Sequence, residues 1–492
     1  MTNKSSDVQP ANVRATCQYG FDGSGRYTCN LFEGTLTHPS DTLTITGTHV
    51  PGHGNADVLV VNHQSTVNRF HGDVLRTFVN LRILRIVNVR MSFIHENAFA
   101  SCGQLQELNI MSNLVTSLPS QMLRNCVNLR TFDASLSDNL VTIPGDLFGT
   151  NRNLESFVVT AGNLVSFPTN LLENMSNLRV FNVSGNQILS ISPNNFRTAQ
   201  RIEEFGISFN EIIDGQSVMT ILSAQPWLRR IRIMNNPFPM PNLNFFQQFQ
   251  HLVDLAVGGG QGMTGINWQA LPARLTSLGV TGIGEEISAT AFNRMTNLTD
   301  LLLTGSGITT LPPNIFNGLK WLRRLLIMNT RLTTLHPQLF ADLVSLRLLH
   351  LNFNQIEELP EGVFSNLGNL GYMEFLHGLF LMNNKLTSIP VNAFGAHPFL
   401  RQISFAGNEI DEIERGVFGR FNDVLDIDLR SNICINEAFT DARNLDQNRR
   451  LQTCFDNFAG IGTTTPGGSG RNFRVFEVFG IILIGFVGCL MK

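Results

Sequence analysis

The sequence predicts a solenoid of the α/β class, and three observations lead to this prediction. Two adjacent blocks of equal length, residues 298–321 and 322–345, align at all their main apolar positions. Each block opens with the spacing L-x-x-L-x-L, which buries one face of a short strand. Similar blocks recur along most of the chain with a nearly constant period. A single block cannot bury its apolar residues, so the copies must stack into a continuous core.

The apolar spacing places fifteen copies after a degenerate first coil at residues 58–80. The copies start at Leu81, Leu105, Leu129, Leu154, Leu178, Ile202, Leu228, Leu252, Leu275, Leu298, Leu322, Leu346, Leu376, Leu400 and Val424. Strands of successive coils should pair in parallel about 4.8 Å apart. The interval from Leu346 to Leu376 is the longest, and its extra residues, 370–375, should bulge from one coil.

Position nine of the copies is often Asn, which we expect to bond backbone groups of the turn that would otherwise be buried without partners. These residues are Asn113, Asn186, Asn210, Asn236, Asn354, Asn384, Asn408 and Asn432. Four successive copies have Gly260, Ile283, Ser306 and Thr330 at this position instead. Both decay of the repeat and a local change of curvature could explain the missing Asn. A Phe late in most copies should fill the outer side of each coil, and a Pro near its middle predicts an extended outer segment.

The combined pattern LxxLxLxxNxLxxLPxxxFxxLxx over about residues 58–454 resembles the extracellular leucine-rich repeat family, which includes Toll-type receptor ectodomains and chaoptin- and connectin-like insect surface proteins. The resemblance implies a leucine-rich repeat horseshoe, with a parallel concave β-sheet and an irregular or short-helical convex side. It also implies that the concave face, or a flank, binds another macromolecule.

The expected organisation has a solenoid between two caps and a tail. In order, we expect a disordered N-terminus (1–16), an N-terminal cysteine cap (17–57), repeats (58–423), a last repeat with a C-terminal cysteine cap (424–459), a linker (460–474) and a hydrophobic membrane-attachment tail (475–492). The apolar run of the tail, residues 478–491, is short for a spanning helix. Small residues and a short spacer before it favour a glycolipid-anchor signal, and a short transmembrane helix is the alternative.

Cysteine placement predicts an oxidising compartment. Cys17 and Cys29 precede the repeats and Cys434 and Cys454 follow them, which predicts paired terminal disulfides. Cys102 and Cys126 occupy the same position in neighbouring coils, and we expect them to be small apolar core residues, with a disulfide between adjacent coils as the alternative. Residues 1–16 lack the apolar core of a signal peptide, so we expect the natural start to lie upstream.

The strand face supplies the candidate ligand-binding residues. Positions two, three, five, seven and eight of each copy should point away from the core, and around two copies they combine arginines with apolar residues. Arginine binds carboxylate, sulfate or phosphate through planar paired donors, and exposed Met and Leu would seat an apolar group. The predicted set is Arg229, Arg230, Arg232, Met234, Leu302, Arg323, Arg324, Leu326 and Met328. The alternative is a solvated face on which the arginines pair with Asp254 and Asp300.

Sequons at Asn174, Asn182 and Asn297 are glycosylation candidates. A glycan on Asn182 would block the first half of the concave face. Net charge is −3, so we expect no nucleic-acid partner.

No nucleophile elbow, phosphate loop, paired-carboxylate motif or metal-ligand spacing occurs in the sequence. We therefore expect no catalysis, no cofactor and no metal. The predicted function is a non-catalytic protein on the extracellular side of the plasma membrane that binds a protein or glycan in adhesion, co-receptor or innate immune recognition. A soluble secreted recognition protein, an intracellular scaffold and a homodimer stay open.

Overall fold

The computed structural model describes residues 12–23, 25–32, 42–47, 57–61, 69–70, 72–259, 263, 266–368, 377–395, 397, 400–421, 424–441 and 445–458. The chain divides into two compact units, Met1–Phe238 and Pro239–Lys492. Within both, short parallel strands alternate with turns and single-turn helices, so the fold is a parallel-strand leucine-rich repeat solenoid with little helix. The predicted tail, the linker and the bulge at 370–375 lie outside the described residues.

The first unit begins with strands that cap the repeats. A hairpin of β1 and β2 is antiparallel, β3 pairs with β1, and β2 pairs in parallel with β4 of the first coil. Strand β1 starts at Asn12, so residues 12–16, which the sequence predicted to be disordered, belong to the cap. The elements are β1 (Asn12–Phe21), β2 (Tyr27–Phe32), β3 (Thr42–Thr46), β4 (Val58–Val61), β5 (Arg69–Phe70), α1 (Asp73–Thr77), β6 (Ile83–Ile86) and β7 (Phe93–Ile94).

The first unit continues with one short strand per coil. The remaining elements are β8 (Glu107–Asn109), β9 (Thr131–Asp133), β10 (Ser156–Val158), β11 (Val180–Asn182), a 3-10 helix (Pro193–Phe196), β12 (Glu204–Gly206), α2 (Gly215–Ser223) and β13 (Arg230–Arg232). Strands β4, β6 and β8–β13 pair in parallel in the register that the repeat predicts.

The second unit repeats this plan and ends in a cap. Its strands are β14 (Asp254–Val257), β15 (Ser277–Thr281), β16 (Asp300–Thr304), β17 (Arg324–Met328), β18 (Leu348–His350), β19 (Gly378–Phe380), β20 (Ser388–Ile389), β21 (Gln402–Ser404), β22 (Glu412–Ile413), β23 (Asp426–Asp428) and β24 (Ala438–Phe439). Its helices are α3 (Gln452–Phe458) and 3-10 turns at Leu243–Gln248, Trp268–Ala270, Ser365–Gly368, Val391–Ala393, Phe418–Arg420, Leu445–Gln447 and Arg449–Leu451. Strand β24 pairs antiparallel with β23 and ends the repeat ladder.

The buried Asn at position nine is confirmed as the link between coils. Asn186 shows the pattern: its Nδ2 donates to the carbonyls of Val159 (2.8 Å) and Val183 (2.9 Å), and its Oδ1 accepts from the Leu164 amide (3.1 Å). Asn384 makes the same bonds across the longest interval, because it reaches back to the Leu351 carbonyl at 2.9 Å. The ladder therefore satisfies buried backbone groups on both sides of each turn.

Where the Asn ladder lapses, the strands are longer. Strands β15, β16 and β17 have five residues, whereas most repeat strands have three. Ser306 and Thr330 are buried, and the Thr330 hydroxyl donates to Oδ1 of Asn354 at 2.5 Å. In these coils longer strands thus accompany shorter polar side chains that still form hydrogen bonds, as Ser306 does with the Thr304 carbonyl at 3.0 Å. Gly260 lies outside the described residues.

Most coils turn at position eight through a backbone with positive φ. Asn235 (53°) and Asn329 (52°), which the sequence placed on the concave surface, hold this position. Gly, Asn and Ser tolerate such a conformation, but Leu136, Phe209 and Phe353 adopt it too, with φ between 54° and 57°. Position eight is therefore a turn position imposed by the repeat.

The predicted Phe residues form a spine along the outer side of the core. Phe292, Phe316, Phe340 and Phe364 are fully buried, and successive rings stack 6.0–6.4 Å apart. In the first unit a second set, Phe132, Phe157, Phe181 and Phe205, replaces Leu at position four, and neighbouring rings lie 5.4–6.1 Å apart. These stacks run from coil to coil and add aromatic contact to the buried area.

Candidate ligand-binding surface

Position five of the repeat forms a row of side chains across the strand face of the second unit. Gly279, Leu302, Leu326, His350 and Phe380 lie opposite one another in consecutive strands. Leu302 is only 7% exposed and Leu326 only 1%, so the prediction that they are exposed is wrong. The reason is that parallel strands place equal positions about 4.8 Å apart, so neighbouring side chains cover each other.

The two predicted methionines are buried for the same reason. Met234 is fully buried, and Met328 lies beside Thr304 with 3% of its surface exposed. In these two coils position seven therefore closes the end of the strand and is not a surface for ligands. The apolar part of the predicted concave patch belongs to the packed structure.

His350 and Phe380 form an aromatic pair that the sequence analysis did not predict. Their rings stack with centroids 4.3 Å apart and planes 9° apart. Burial of His350 lowers the pKa of its imidazole from 6.5 to about 4, so the ring is neutral at physiological pH. Both residues occupy position five of their copies, and this shared position is the sequence feature that could have predicted their contact.

The predicted arginines of the first unit form a cluster around one carboxylate. Arg230 Nη1 lies 3.3 Å from Oε2 of Glu204, and Arg232 Nη1 lies 3.1 Å from Oε1 of the same residue. The Arg230 side chain is 53% exposed, that of Arg232 only 5%, and Arg229 is exposed beside them. The prediction that Arg232 is exposed is wrong, whereas Arg229 and Arg230 face solvent.

Among the predicted arginines of the second unit, Arg324 pairs with a strand carboxylate. Arg324 forms an ion pair with Asp300 of the preceding strand and keeps 32% of its side chain exposed. Arg323, at position two, is exposed. The expected pairing of the arginines with strand carboxylates is thus confirmed for Asp300.

A polar cavity of about 190 Å³ opens on the strand side of the first unit and was not predicted. Its lining alternates in charge, because position two of successive coils is Arg130, Glu155 and Arg179, and Arg130 lies 3.1 Å from Glu155. The full lining is Arg130, Asn153, Glu155, Asn177, Arg179 and Arg201. Alternating charge at one repeat position is a sequence signal that could have revealed it.

The cysteines form three disulfides. Cys17–Cys29 and Cys434–Cys454, which tie the two caps, are confirmed. Cys102 and Cys126 also form a disulfide, with Cα atoms 4.8 Å apart, so the prediction that they are only apolar core residues is wrong. Neighbouring coils bring equal positions within the Cα distance that a disulfide requires. Cys489 lies outside the described residues.

The glycosylation candidates differ in accessibility. Asn174 and Asn297 are exposed just before a strand, as attachment of a glycan requires. Asn182 is only 9% exposed, its Oδ1 accepts from the Ser184 amide at 3.1 Å, and it leans over Gly206, where an added Cβ would lie 2.5 Å from that oxygen. Burial therefore disfavours a glycan at Asn182.

Within the described ranges, no group of His, Cys, Asp or Glu side chains is arranged to hold a metal ion. Among the helices in that same part of the chain, none has the length and apolar character that a membrane span needs. The predicted membrane-attachment tail at 475–492 lies outside those ranges.

A stacked scaffold of similar coils, with Asn, Phe and Leu at fixed positions, defines a repeat protein of the leucine-rich class. A family model described as the BspA-type leucine-rich repeat region matches residues 92–217 and 379–449, and a second leucine-rich repeat model matches residues 320–374. The chain belongs to the leucine-rich repeat family. Comparison with curated proteins gives no significant match.

Several solved structures are similar to this chain at low sequence identity. A leucine-rich repeat protein from Leptospira interrogans is 19% identical with a TM-score of 0.51, and the match covers 76% of this chain and 90% of that one. The functional domain of InlJ from Listeria monocytogenes, which includes a cysteine ladder, is 16% identical with a TM-score of 0.46, covering 72% and 69%. A plant peptide hormone receptor is 15% identical with a TM-score of 0.44, covering 84% and 79%.

Proposed function

We propose that this protein is a non-catalytic recognition protein of the cell surface, which binds a protein or glycan through its strand face. The observation that carries the proposal is the arginine cluster of the first unit, where two guanidinium groups contact the carboxylate of Glu204. Arg230 stays half exposed and Arg229 lies beside it. Repeat scaffolds of this class use such preformed strand faces for binding.

The chemistry of the exposed arginines favours an anionic ligand. Guanidinium is planar, always charged and presents paired donors that match carboxylate, sulfate or phosphate oxygens. Arg323 and Arg324 add a second cationic group on the strand face of the second unit. Because Leu302, Leu326 and Met328 are buried, the proposed contact is polar and not a mixed apolar patch.

We further propose that the repeats are exposed outside the cell, held to the membrane by residues 475–492. Three disulfides support this placement, because such bonds persist in oxidising compartments. Secretion without an anchor is the alternative. Phosphoinositide-specific lipase should release the protein from intact cells, and secretion into the medium without any lipase-sensitive surface pool would exclude the anchor.

Charge reversal tests the strand face. Arg230→Glu and Arg324→Glu should weaken binding to sulfated or sialylated glycans, or to an acidic protein partner, by at least about tenfold, because hot-spot arginines carry most of such energy. Arg197→Glu is the matched control, since Arg197 pairs with Glu173 at 3.1 Å and is 66% exposed at a different repeat position. Equal binding by all three variants would reject the proposal.

A further inference from the structure

Four successive coils of the first unit expose an aliphatic side chain at position twelve. The first of these coils has one extra residue, and its position twelve is counted without that residue. Val141, Val165, Leu189 and Ile213, the aliphatic row, are exposed by 42%, 37%, 58% and 70%. The fold does not require an apolar residue there, because eight other coils have a polar residue at that position. These are Ser92, Thr116, Glu286, Thr309, Thr333, Glu357, Thr387 and Asp411.

The members of the aliphatic row lie in register on one flank. The Val165 amide donates to the Val141 carbonyl at 3.1 Å, and the Ile213 amide donates to the Leu189 carbonyl at 3.4 Å. Hydrogen bonding of this kind holds neighbouring coils at about the strand spacing of 4.8 Å, so the four side chains span about 14 Å in a line.

Charges around the aliphatic row have one sign. Positions eight to seventeen of the four coils are residues 136–146, 161–170, 185–194 and 209–218, and they contain no Lys or Arg. Their four carboxylates are exposed and lie in the first and last of these coils: Asp138, Asp146, Glu211 and Asp214. Hydrogen bonds from Ser120 and Ser217 lower the pKa of Asp146 and Asp214, which keeps both ionised at neutral pH.

We propose that the aliphatic row docks an amphipathic helix with basic residues at both ends of its apolar face. A helix places residues i, i+4, i+7 and i+11 on one face over about 16 Å, close to the length of the row. Four alternate residues of an extended strand would span about 20 Å, so their side chains would not match the spacing of the row. Basic ends match the carboxylates that bound the row.

The same charges argue against the other occupants. In a symmetric dimer through this flank, carboxylates of both copies would meet, and like charges brought together cost energy. An anionic lipid surface would be repelled for the same reason. The surface is separate from the arginine cluster, so the proposal does not depend on the strand-face function.

The test uses the intact chain and a labelled peptide probe with four leucines at i, i+4, i+7 and i+11 and lysines at both ends. Fluorescence anisotropy should detect binding of this peptide. A peptide of the same composition with leucine at every second position, and the helical peptide with Glu in place of Lys, should bind at least about tenfold more weakly.

The double variant Leu189→Asn/Ile213→Asn should weaken the helical probe at least about tenfold, since it removes the most exposed half of the row. Ile433→Asn is the matched control, because Ile433 is 63% exposed in the last coil and should leave binding unchanged. Unchanged thermal melting establishes that each variant is folded.

Three results would overturn the proposal. They are no binding of the helical probe, equal binding by the double variant and by wild type, and a concentration-dependent dimer in sedimentation that the double variant dissociates. The last result would assign the aliphatic row to a second copy of the chain.

Discussion

Replacing Asn186 with leucine removes one link of the Asn ladder while keeping the number and branching of the non-hydrogen side-chain atoms. Four hydrogen bonds disappear: those to the Val159, Val183 and Ser184 carbonyls and that from the Leu164 amide. The Ser184 carbonyl keeps a donor, because the Ala161 amide lies 2.9 Å away. The Val183 carbonyl keeps a donor, because Nδ2 of Asn210 lies 3.0 Å away. Two buried groups, the Val159 carbonyl and the Leu164 amide, therefore lose a bond that the leucine cannot replace.

The expected loss follows from those two groups. Each buried backbone group left without a partner costs about 1–3 kcal/mol, so Asn186→Leu should lower stability by about 2–6 kcal/mol. Asn128→Ala is the control: this residue is exposed and donates only to the Gly103 carbonyl, at 2.8 Å. It should cost less than about 1 kcal/mol, the net worth of one exposed hydrogen bond.

Thermal melting and hydrogen exchange measure the two parts of this prediction. The melting temperature of Asn186→Leu should fall well below that of wild type and of Asn128→Ala. Exchange at the Leu164 amide should speed up, because coils of a solenoid open locally. If Asn186→Leu melts like the control and Leu164 exchanges at the wild-type rate, the Asn ladder does not hold the coils together.

Three further predictions concern the disulfide, the buried histidine and the glycans. Replacing both Cys102 and Cys126 with Ser should cost about 3.5 kcal/mol, the chain-entropy value for a loop of this length. Equal urea midpoints for the variant and the wild type would contradict this prediction. Burial lowers the pKa of His397 from 6.5 to about 4, so its contribution of roughly 3 kcal/mol is complete above pH 6.5 and is lost as pH falls towards 4. His397→Phe should therefore flatten the acid side of the melting profile, and an unchanged profile would refute this. Mass spectrometry of secreted protein should find glycans at Asn174 and Asn297 and none at Asn182, and a glycan at Asn182 would show that this side chain leaves its buried position.

The sequence predicted the features that repeat with the coil. Strand register, the Asn ladder and the Phe spine each follow from a residue type that recurs at a fixed position in many copies. The terminal disulfides followed from cysteines on either side of the repeats. Such features depend on contacts within a coil or with an identical neighbour, which the repeat period determines.

Lateral packing between different side chains was harder to predict. Leu326 and Met328 point out of the sheet as expected, yet residues at the same positions of neighbouring strands cover them. The exposure of a side chain therefore depends on its own size and on the sizes of the side chains at the same position in the two neighbouring strands. The repeat pattern alone does not specify the sizes of those neighbours. The Cys102–Cys126 bond was readable from the sequence separation of 24, because equal positions of adjacent coils lie within disulfide reach.

The strand-face proposal is tested most directly by hydrogen exchange. The measurement compares the free protein with its complex with a ligand whose binding depends on Arg230 and Arg324. We expect protection at residues 227–232 and 322–326, around Arg230 and Arg324, and no change at residues 193–198, around the control Arg197. Protection confined to 193–198, with 227–232 and 322–326 exchanging as in the free protein, would contradict the proposal that the strand face is the binding surface.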